Sequence, residues 1–233
     1  KAVLKQLGLT KGNVFQRSSV ERFKQQLKQE YNMRGKYNAR IITQTTPLTQ
    51  NRIALSIEIS EGRVARIKKI NFIGNHALSN YELKSMMLLS ERGFLTYFTK
   101  KDQYNQAVLE QSLQLIRDYY MDHGYLKFKI SSSQVLLAAD KKSVYVNIKV
   151  TEGPQYHFSG FDIAGKTVLH KTKLLELVDI KKGAIFSRKK VTDAIKAIGE
   201  ALGDHGYGFP SINAEPQVDE SKKTIFITIM VQQ

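Results

Sequence analysis

Two ten-residue stretches of the chain align without a gap when the sequence is shifted by 171 residues. The first is KGNVFQRSSV at Lys11–Val20, and the second is KGAIFSRKKV at Lys182–Val191. A further glycine, Gly35 or Gly206, follows 23 residues after the glycine inside each stretch. Self-similarity at a fixed offset indicates that the chain is built from one supersecondary unit used several times. This restricts the fold more than any other feature of the sequence.

Three segments of the sequence carry apolar residues at steps of three and four, which places them on one face of a helix. These residues are Val20, Phe23, Leu27 and Tyr31, then Leu109, Leu113, Ile116 and Tyr120, then Val191, Ile195, Ile198 and Leu202. A glycine follows four residues after each set, at Gly35, Gly124 and Gly206. Glycine just past a helix end adopts the left-handed conformation that stops the helix. The pattern therefore predicts three helices that end at these glycines.

The tetrapeptide DHGY occurs at Asp122–Tyr125 and again at Asp204–Tyr207. A histidine beside an acid suggests catalysis, but both copies coincide with a predicted helix stop. His123 and His205 then fall in the last helical turn, where partial positive charge suits the helix dipole. We interpret both copies as structural, and no catalytic residue is predicted.

The remaining patterns complete the repeating unit. Ser18 with Glu21 and Ser79 with Glu82 have the spacing of a capping box, which predicts helix starts. Apolar, β-branched stretches typical of strands follow the helices. They are RIALSIEISEG at 52–62, SVYVNIKVTEG at 143–153 and TIFITIMVQQ at 224–233. Short strand patterns also precede the helical parts of the second and third segments.

The sequence thus predicts an α+β protein of three tandem β-α-α-β-β repeats, spanning 1–62, 63–153 and 154–233. Each repeat is expected to be a three-stranded mixed sheet backed by two antiparallel helices. The first repeat is expected to lack its opening strand, because residue 1 already falls in its predicted first helix. We therefore expect the natural protein to extend further upstream.

The second repeat is longer than the others, since Gly93 and Gly124 are 31 residues apart instead of 23. The extra residues fall near Phe94, Tyr97 and Phe98. Two interpretations stay open for this segment. It either folds back onto its own core or forms an exposed aromatic contact site.

The edges of the predicted sheets differ in their proline content. An uncovered edge strand invites pairing with another chain, and proline prevents this because it has no N–H to donate. We expect Pro47 to end the second strand of the first repeat, and Pro210 and Pro216 to interrupt that of the third. The equivalent stretch of the second repeat, Lys127–Asp140, has no proline. It is predicted to be an unblocked edge strand suited to pairing with an extended peptide.

The net charge of +15 favours anionic partners. A basic nucleic-acid-binding repeat protein is therefore the alternative from another functional class, with the run Arg63–Lys69 as its strongest support. Against it, the sequence has no helix with a basic stripe and no RNA-recognition motif. The chain contains no cysteine, phosphate-binding loop, pair of histidines at metal spacing or nucleophile elbow. We expect no enzymatic activity, no cofactor and no nucleic-acid partner.

Taken together, the repeats resemble POTRA (polypeptide-transport-associated) domains, in order the second to fourth of the BamA family of outer-membrane protein assembly factors. The likeness covers essentially the whole chain. It is carried by INFIGNHALSNYEL at 70–83, YYMDHGYLKFKI at 119–130 and DKKSVYVNIKVTEG at 140–153, with GKYNARI and TPLTQNRIAL in the first repeat. POTRA repeats also occur in outer-membrane secretion translocators, which remain the second possibility within this fold.

The resemblance implies an arm on the periplasmic face of the outer membrane, joined to a membrane β-barrel of the parent chain beyond Gln233. In that family the arm binds unfolded outer-membrane proteins and accessory lipoproteins and has neither active site nor cofactor. The docking site of a β-propeller lipoprotein carries over to four residues, Gln134, Val135, Leu136 and Leu137. An alternative places Val135 and Leu137 against the helices of the repeat, with only Leu136 facing outward.

Overall fold

The computed structural model describes residues 9–165, 167, 169–205 and 211–232. The chain divides into two compact units. The first comprises Lys1–Phe72, Lys84–Leu113 and Ser133–Ile148, and the second comprises Ile73–Leu83, Gln114–Ser132 and Lys149–Gln233. Each unit therefore combines a terminal repeat with part of the middle repeat.

The first repeat contains helix α1 (Arg17–Met33) and strands β1 (Arg40–Leu48) and β2 (Arg52–Ser60). The strands pair antiparallel without a register shift, from Arg40 opposite Ser60 to Leu48 opposite Arg52. Within the described residues this sheet has two strands, in agreement with the predicted lack of an opening strand. The helix predicted at residue 1 lies outside the described residues.

The middle repeat forms a three-stranded sheet in the order β3-β5-β4, so β3 and β4 are its edges. Its elements are β3 (Arg66–Ile73), α2 (Asn80–Met86), α3 (Thr96–Thr99), α4 (Gln106–Asp122), β4 (Lys129–Leu137) and β5 (Ser143–Thr151). The short helix α3 lies in the segment that makes this repeat longer than the others.

The third repeat has the same strand order, β6-β8-β7. Its elements are β6 (His157–Gly165), α5 (Lys171–Glu176), α6 (Arg188–Gly203), β7 (Ser211–Asp219) and β8 (Thr224–Gln232). Strand β6 runs parallel to β8, whereas β7 runs antiparallel to it. The predicted β-α-α-β-β order and mixed sheet are therefore confirmed.

The core of the third repeat follows the two periodicities of its sequence. Strand β8 buries every second residue, and these are Ile225, Ile227, Ile229 and Val231. Helix α6 buries Val191, Ala194, Ile198 and Leu202 against the same cluster. Burial of one such aliphatic side chain contributes about 1.5–3 kcal/mol relative to exposure. In the middle repeat, all four apolar positions predicted for α4 are likewise buried.

The predicted helix stops are confirmed where the structure describes them. Gly35 has a φ of 73° and Gly124 a φ of 86°, both in the left-handed region. After each glycine, the N–H of the next residue donates to a carbonyl five residues back. Tyr125 donates to Tyr120, and Lys36 donates to Tyr31. His123 Nδ1 lies 2.8 Å from the carbonyl oxygen of Tyr119, four residues back in the helix. Gly206 and Tyr207 lie outside the described residues.

The structure corrects two local predictions. The capping box at Ser79 is confirmed, since its N–H donates to Glu82 Oε2 at 2.8 Å, but that at Ser18 is wrong because α1 already begins at Arg17. Pro47 and Pro216 lie inside β1 and β7 and keep their pairing, so neither ends nor interrupts a strand. An edge strand tolerates proline where its missing N–H faces away from the ladder. Pro210 lies outside the described residues.

Candidate partner-binding surfaces of the middle repeat

Strand β4 forms one edge of the middle sheet, and its last four residues are accessible. Leu136 is 52% exposed and Leu137 38% exposed. Gln134 is also exposed, and Val135 is half-buried. Leu136 and Leu137 are thus both accessible while Val135 is partly covered, and the assignment of these residues to a partner site stays a prediction.

The backbone of β4 has donors directed to the open side. Three residues before its end, β4 has Gln134 where β7 has Pro216, which keeps its pairing with β8. A proline in a paired edge strand lies where the ladder needs no N–H, and N–H groups alternate in direction along an antiparallel strand. The N–H groups of Gln134 and Leu136 therefore point away from β5, the partner strand across the hairpin turn. The turn is closed by Asp140 Oδ1, which accepts from the N–H of Lys142 at 2.8 Å. This hydrogen bond is the main cause of the lowered pKa of Asp140.

The other edges of the two three-stranded sheets are obstructed. Edge strand β7 contains Pro216. On β3, the N–H of Ile67 donates to Asp102 O at 2.7 Å, and that of Ile70 donates to Glu91 Oε1 at 2.9 Å. On β6, the N–H of Phe158 donates to the carbonyl of residue 184 at 2.8 Å. Strand β4 is therefore the most accessible edge among the described strands of these two sheets.

The second surface is the aromatic loop, residues 91–102, which includes the predicted Phe94, Tyr97 and Phe98. These side chains are 86%, 75% and 71% exposed, so the segment does not fold back onto the core. Tyr97 and Phe98 pack edge to face with ring centres 5.3 Å apart. All three aromatic side chains, together with Arg66 and Arg92, line an open groove of about 600 Å³.

Backbone hydrogen bonds fasten the aromatic loop to β3 at both of its ends. The N–H of Arg92 donates to the carbonyl of Ile67 at 2.8 Å, and Ile67 in turn donates to Asp102. Inside the loop, the buried hydroxyl of Thr96 donates to the carbonyl of Gly93 at 2.7 Å. The exposed rings thus stand on a fixed base.

Both acidic residues of the aromatic loop are engaged at its base. Asp102 is fully buried and accepts from Arg66 Nη1 at 2.8 Å. Burial tends to raise the pKa of Glu91, but the N–H of Ile70 and the ammonium of Lys84, 2.6 Å away, outweigh this effect and lower the pKa. The negative charges at the base are therefore already compensated.

The structure does not bring the two predicted sets of residues together. The aromatic loop is bonded to β3, whereas Gln134–Leu137 lie on β4 at the opposite edge of the sheet. Sequence reasoning missed Leu95, which is 73% exposed within the same apolar run, and the two arginines of the groove. Leu95 was visible in the run FLTYF, but the arginines meet only after folding.

A buried hydroxyl–carboxylate contact that no sequence pattern predicted supports the middle repeat. Tyr120 donates to Glu152 Oε1 at 2.7 Å. The same oxygen accepts from the N–H of His76 at 3.0 Å. Burial, followed by this hydrogen bond, strongly raises the pKa of Tyr120. Tyr31 and Glu61 form the exposed counterpart in the first repeat at 3.1 Å.

The helix-stop glycines also form the joints between repeats. The carbonyl of Gly124 accepts from the N–H of Tyr156 at 2.8 Å, and a Cβ on Gly124 would lie 2.7 Å from the Tyr156 oxygen. The carbonyl of Gly35 accepts from Ala65 in the same way, also at 2.8 Å. Asp122 of the first DHGY accepts from the N–H of residue 189, at the start of α6, at 2.7 Å.

No group of three or more histidine, aspartate or glutamate side chains among the described residues is placed to hold a metal ion. None of the described helices combines the length and the apolar character needed to cross a membrane.

The whole chain matches one family of repeats. The model of the POTRA family, described as surface antigen variable number repeat, matches residues 1–62, 65–153 and 156–233.

Individual relatives agree with this match. The outer membrane protein assembly factor BamA of Neisseria meningitidis serogroup B is 30% identical over 98% of this chain and 29% of that protein. BamA of Buchnera aphidicola is 26% identical over 78% of this chain and 29% of that protein. The crystal structure of Haemophilus influenzae BamA POTRA3-5 is 31% identical, with a TM-score of 0.61, and covers 72% of this chain and 66% of that one. The chain thus spans less than a third of the length of these curated relatives.

Proposed function

The chain belongs to the POTRA family and is a periplasmic part of an outer-membrane protein, and on that premise we propose that it is a binding arm for β-strand segments. Its clients are unfolded outer-membrane proteins, and its further partners are accessory assembly lipoproteins, including one of the β-propeller type. The arm works as a scaffold for the membrane β-barrel of its parent chain. It holds no cofactor and catalyses no reaction.

The observation that supports this proposal is the open edge of β4. Its accessible residues, Gln134–Leu137, combine exposed leucine side chains with N–H groups directed away from the sheet. An extended segment that pairs there satisfies these donors and places alternate side chains over the leucines. The residues of the aromatic loop, Phe94, Tyr97 and Phe98, are proposed as a separate contact site.

Strand addition suits an arm that handles many different clients. Main-chain hydrogen bonds recognise the extended conformation and not a particular sequence. Each such bond contributes about 0.5–1.5 kcal/mol net, so a pairing over a few residues remains reversible. The repeats at 1–62, 63–153 and 154–233 are proposed as the structural units that carry such edges, and prolines weaken the equivalent edges at Pro47 and Pro216.

A matched set of substitutions at the edge tests the proposal. Gln134→Pro removes one outward N–H and reproduces what Pro216 does in β7, whereas Gln134→Thr keeps the N–H. The dissociation constant of a fluorescent, extended peptide of alternating apolar and polar residues is measured for each variant by anisotropy. Loss of one hydrogen bond predicts affinity about 2- to 12-fold weaker for Gln134→Pro and near the original value for Gln134→Thr.

A converse substitution and a competitor complete the test. Pro216→Val restores a donor to the edge of β7 and should create a second, weaker peptide site. Thermal unfolding of every variant shows whether the fold is retained. Equal affinity for Gln134→Pro and the original chain would contradict strand addition at β4. An oligonucleotide that displaces the peptide and loses affinity steeply between about 50 and 200 mM salt would favour the nucleic-acid alternative.

A further inference from the structure

We propose that the aromatic loop binds the surface of a membrane that contains anionic lipids. Four neighbouring apolar side chains project from this loop into solvent: Phe94, Leu95, Tyr97 and Phe98, all between 71% and 86% exposed. An exposed apolar cluster of this size is unusual on a soluble domain and marks a contact surface. This site and its partner are separate from the strand addition proposed for β4.

The aromatic loop is built to keep these side chains exposed. The bonds from Arg92 to Ile67 and from Ile67 to Asp102 hold its two ends on β3. The left-handed conformation of Lys100, with a φ of 55°, closes the short helix α3 behind the rings. Since the loop is fixed at both ends, exposure of the rings is a property of the fold.

The charge around the rings is positive and available to a ligand. Arg92, Lys100 and Lys101 are exposed and form no ion pair among the described residues. The two acidic residues of the loop are already engaged, Glu91 with Lys84 and Asp102 with Arg66. The loop therefore presents an apolar tip with uncompensated cations beside it.

An anionic lipid surface fits this combination better than a folded protein does. Phenylalanine and tyrosine are amphipathic or apolar side chains that favour the interface between headgroups and acyl chains, while lysine and arginine attract anionic headgroups. A stable protein–protein interface buries roughly 800 Å² on each partner, which is more than four side chains at the tip of a loop supply. The periplasmic position of the chain beside the outer membrane brings such a surface within reach.

The absence of tryptophan from the chain allows a direct test. Phe98→Trp places a single fluorescent reporter in the aromatic loop, and Tyr81→Trp places one at a side chain of α2 that is 81% exposed. Both variants of the full 233-residue chain are titrated with vesicles of phosphatidylcholine, with or without phosphatidylglycerol as one third of the lipid. The emission of Phe98→Trp should shift to the blue with the anionic vesicles, whereas that of Tyr81→Trp should not.

Two sets of substitutions in the Phe98→Trp background separate the apolar from the ionic contribution. Lys100→Gln with Lys101→Gln should weaken binding roughly 30-fold, because each cation near an anionic surface adds about a fivefold factor. Phe94→Ser with Leu95→Ser should weaken binding by at least roughly tenfold, because both substitutions remove apolar area that would be buried in the membrane interface. All these side chains are exposed, so circular dichroism should show an unchanged fold.

The outcomes are distinguishable from those for β4. No blue shift with the anionic vesicles, or the same shift in both reporters, would overturn the membrane proposal. Equal binding to neutral and anionic vesicles would overturn its ionic part. Strand addition at β4 is unaffected by either result, since Gln134 lies at the opposite edge of the sheet from the loop. Peptide binding that protects Phe98→Trp from quenching without any response to vesicles would assign the loop to a protein partner.

Discussion

Replacing Gly124 by alanine should weaken the joint between the second and third repeats. Gly124 has a φ of 86°, and an alanine Cβ there would lie 2.7 Å from the backbone oxygen of Tyr156. The N–H of Tyr156 also donates to the carbonyl of Gly124 at 2.8 Å, so the clash falls on the residue that forms the joint. The chain offers a matched control in Gly183, which has a φ of 84° but nothing within 4 Å of its would-be Cβ.

The magnitudes of the two substitutions follow from these contacts. Left-handed backbone costs an alanine about 1–2 kcal/mol, and Gly183→Ala should cost no more than this. Gly124→Ala adds the displacement of a backbone carbonyl and the loss of one hydrogen bond worth about 0.5–1.5 kcal/mol. We therefore expect a total of roughly 2–4 kcal/mol for Gly124→Ala.

Urea unfolding followed by circular dichroism compares the two variants with the original chain. Hydrogen exchange of the Tyr156 amide reports the joint itself, and its protection should fall in Gly124→Ala but not in Gly183→Ala. Equal destabilisation by the two substitutions would refute the role of Gly124 in the joint. The glycine would then act only as a helix stop.

Further predictions concern polar contacts away from the joint glycine. Tyr120→Phe removes a hydroxyl that donates to the buried Glu152 carboxylate, so in urea unfolding it should cost about 1.5–3 kcal/mol, and the exposed Tyr31→Phe should cost less than about 1 kcal/mol. Asp122→Ala removes an acceptor at the start of α6 and should lower stability by about 0.5–2 kcal/mol, whereas Asp122→Asn should retain most of it. The lowered pKa of Glu91 means that its ionised form stabilises the fold above the ordinary glutamate pKa of 4.5 and that this contribution disappears as pH falls through the folded-state pKa. The difference in melting temperature between the original chain and Glu91→Gln should therefore be largest near neutral pH and shrink as the pH falls below 4.5. A difference that stays constant with pH would contradict a stabilising role of the ionised Glu91.

The repeat and its core were predictable because they rest on local periodicity. The apolar steps of α4 and α6, and the alternation of β8, describe the buried faces directly. The stops at Gly35 and Gly124 follow from the conformational freedom of glycine. Such signals are contained within a few neighbouring residues, which is why the sequence alone suffices.

The prolines and the first helix start were harder to predict because their effect depends on direction and context. Pro47 and Pro216 were expected to break their strands, but both lie in edge strands that keep their register. Their missing N–H affects the open edge and not the ladder. Ser18 had capping-box spacing, yet the helix begins one residue earlier, since sequence spacing alone does not fix the backbone angles of a cap.

The candidate surfaces were only partly predictable. Accessibility of Leu136 and of the rings at Phe94 and Phe98 could be proposed from local sequence, but whether the loop folded inward was left open. The structure resolves that question through long-range bonds from Arg92 and Asp102 to β3. The joint between Gly124 and Tyr156 was missed for the same reason, because only the folded chain brings the two residues together.

The proposed binding of β-strand segments depends most directly on pairing at the open edge of β4. Amide-resolved NMR of the isotope-labelled chain, titrated with the extended peptide, measures this residue by residue. Shifts and slowed exchange concentrated at Lys129–Leu137, strongest at the outward amides of Gln134 and Leu136, are the predicted result. Peptide binding that leaves these amides unchanged, or shifts confined to another edge, would contradict the central claim.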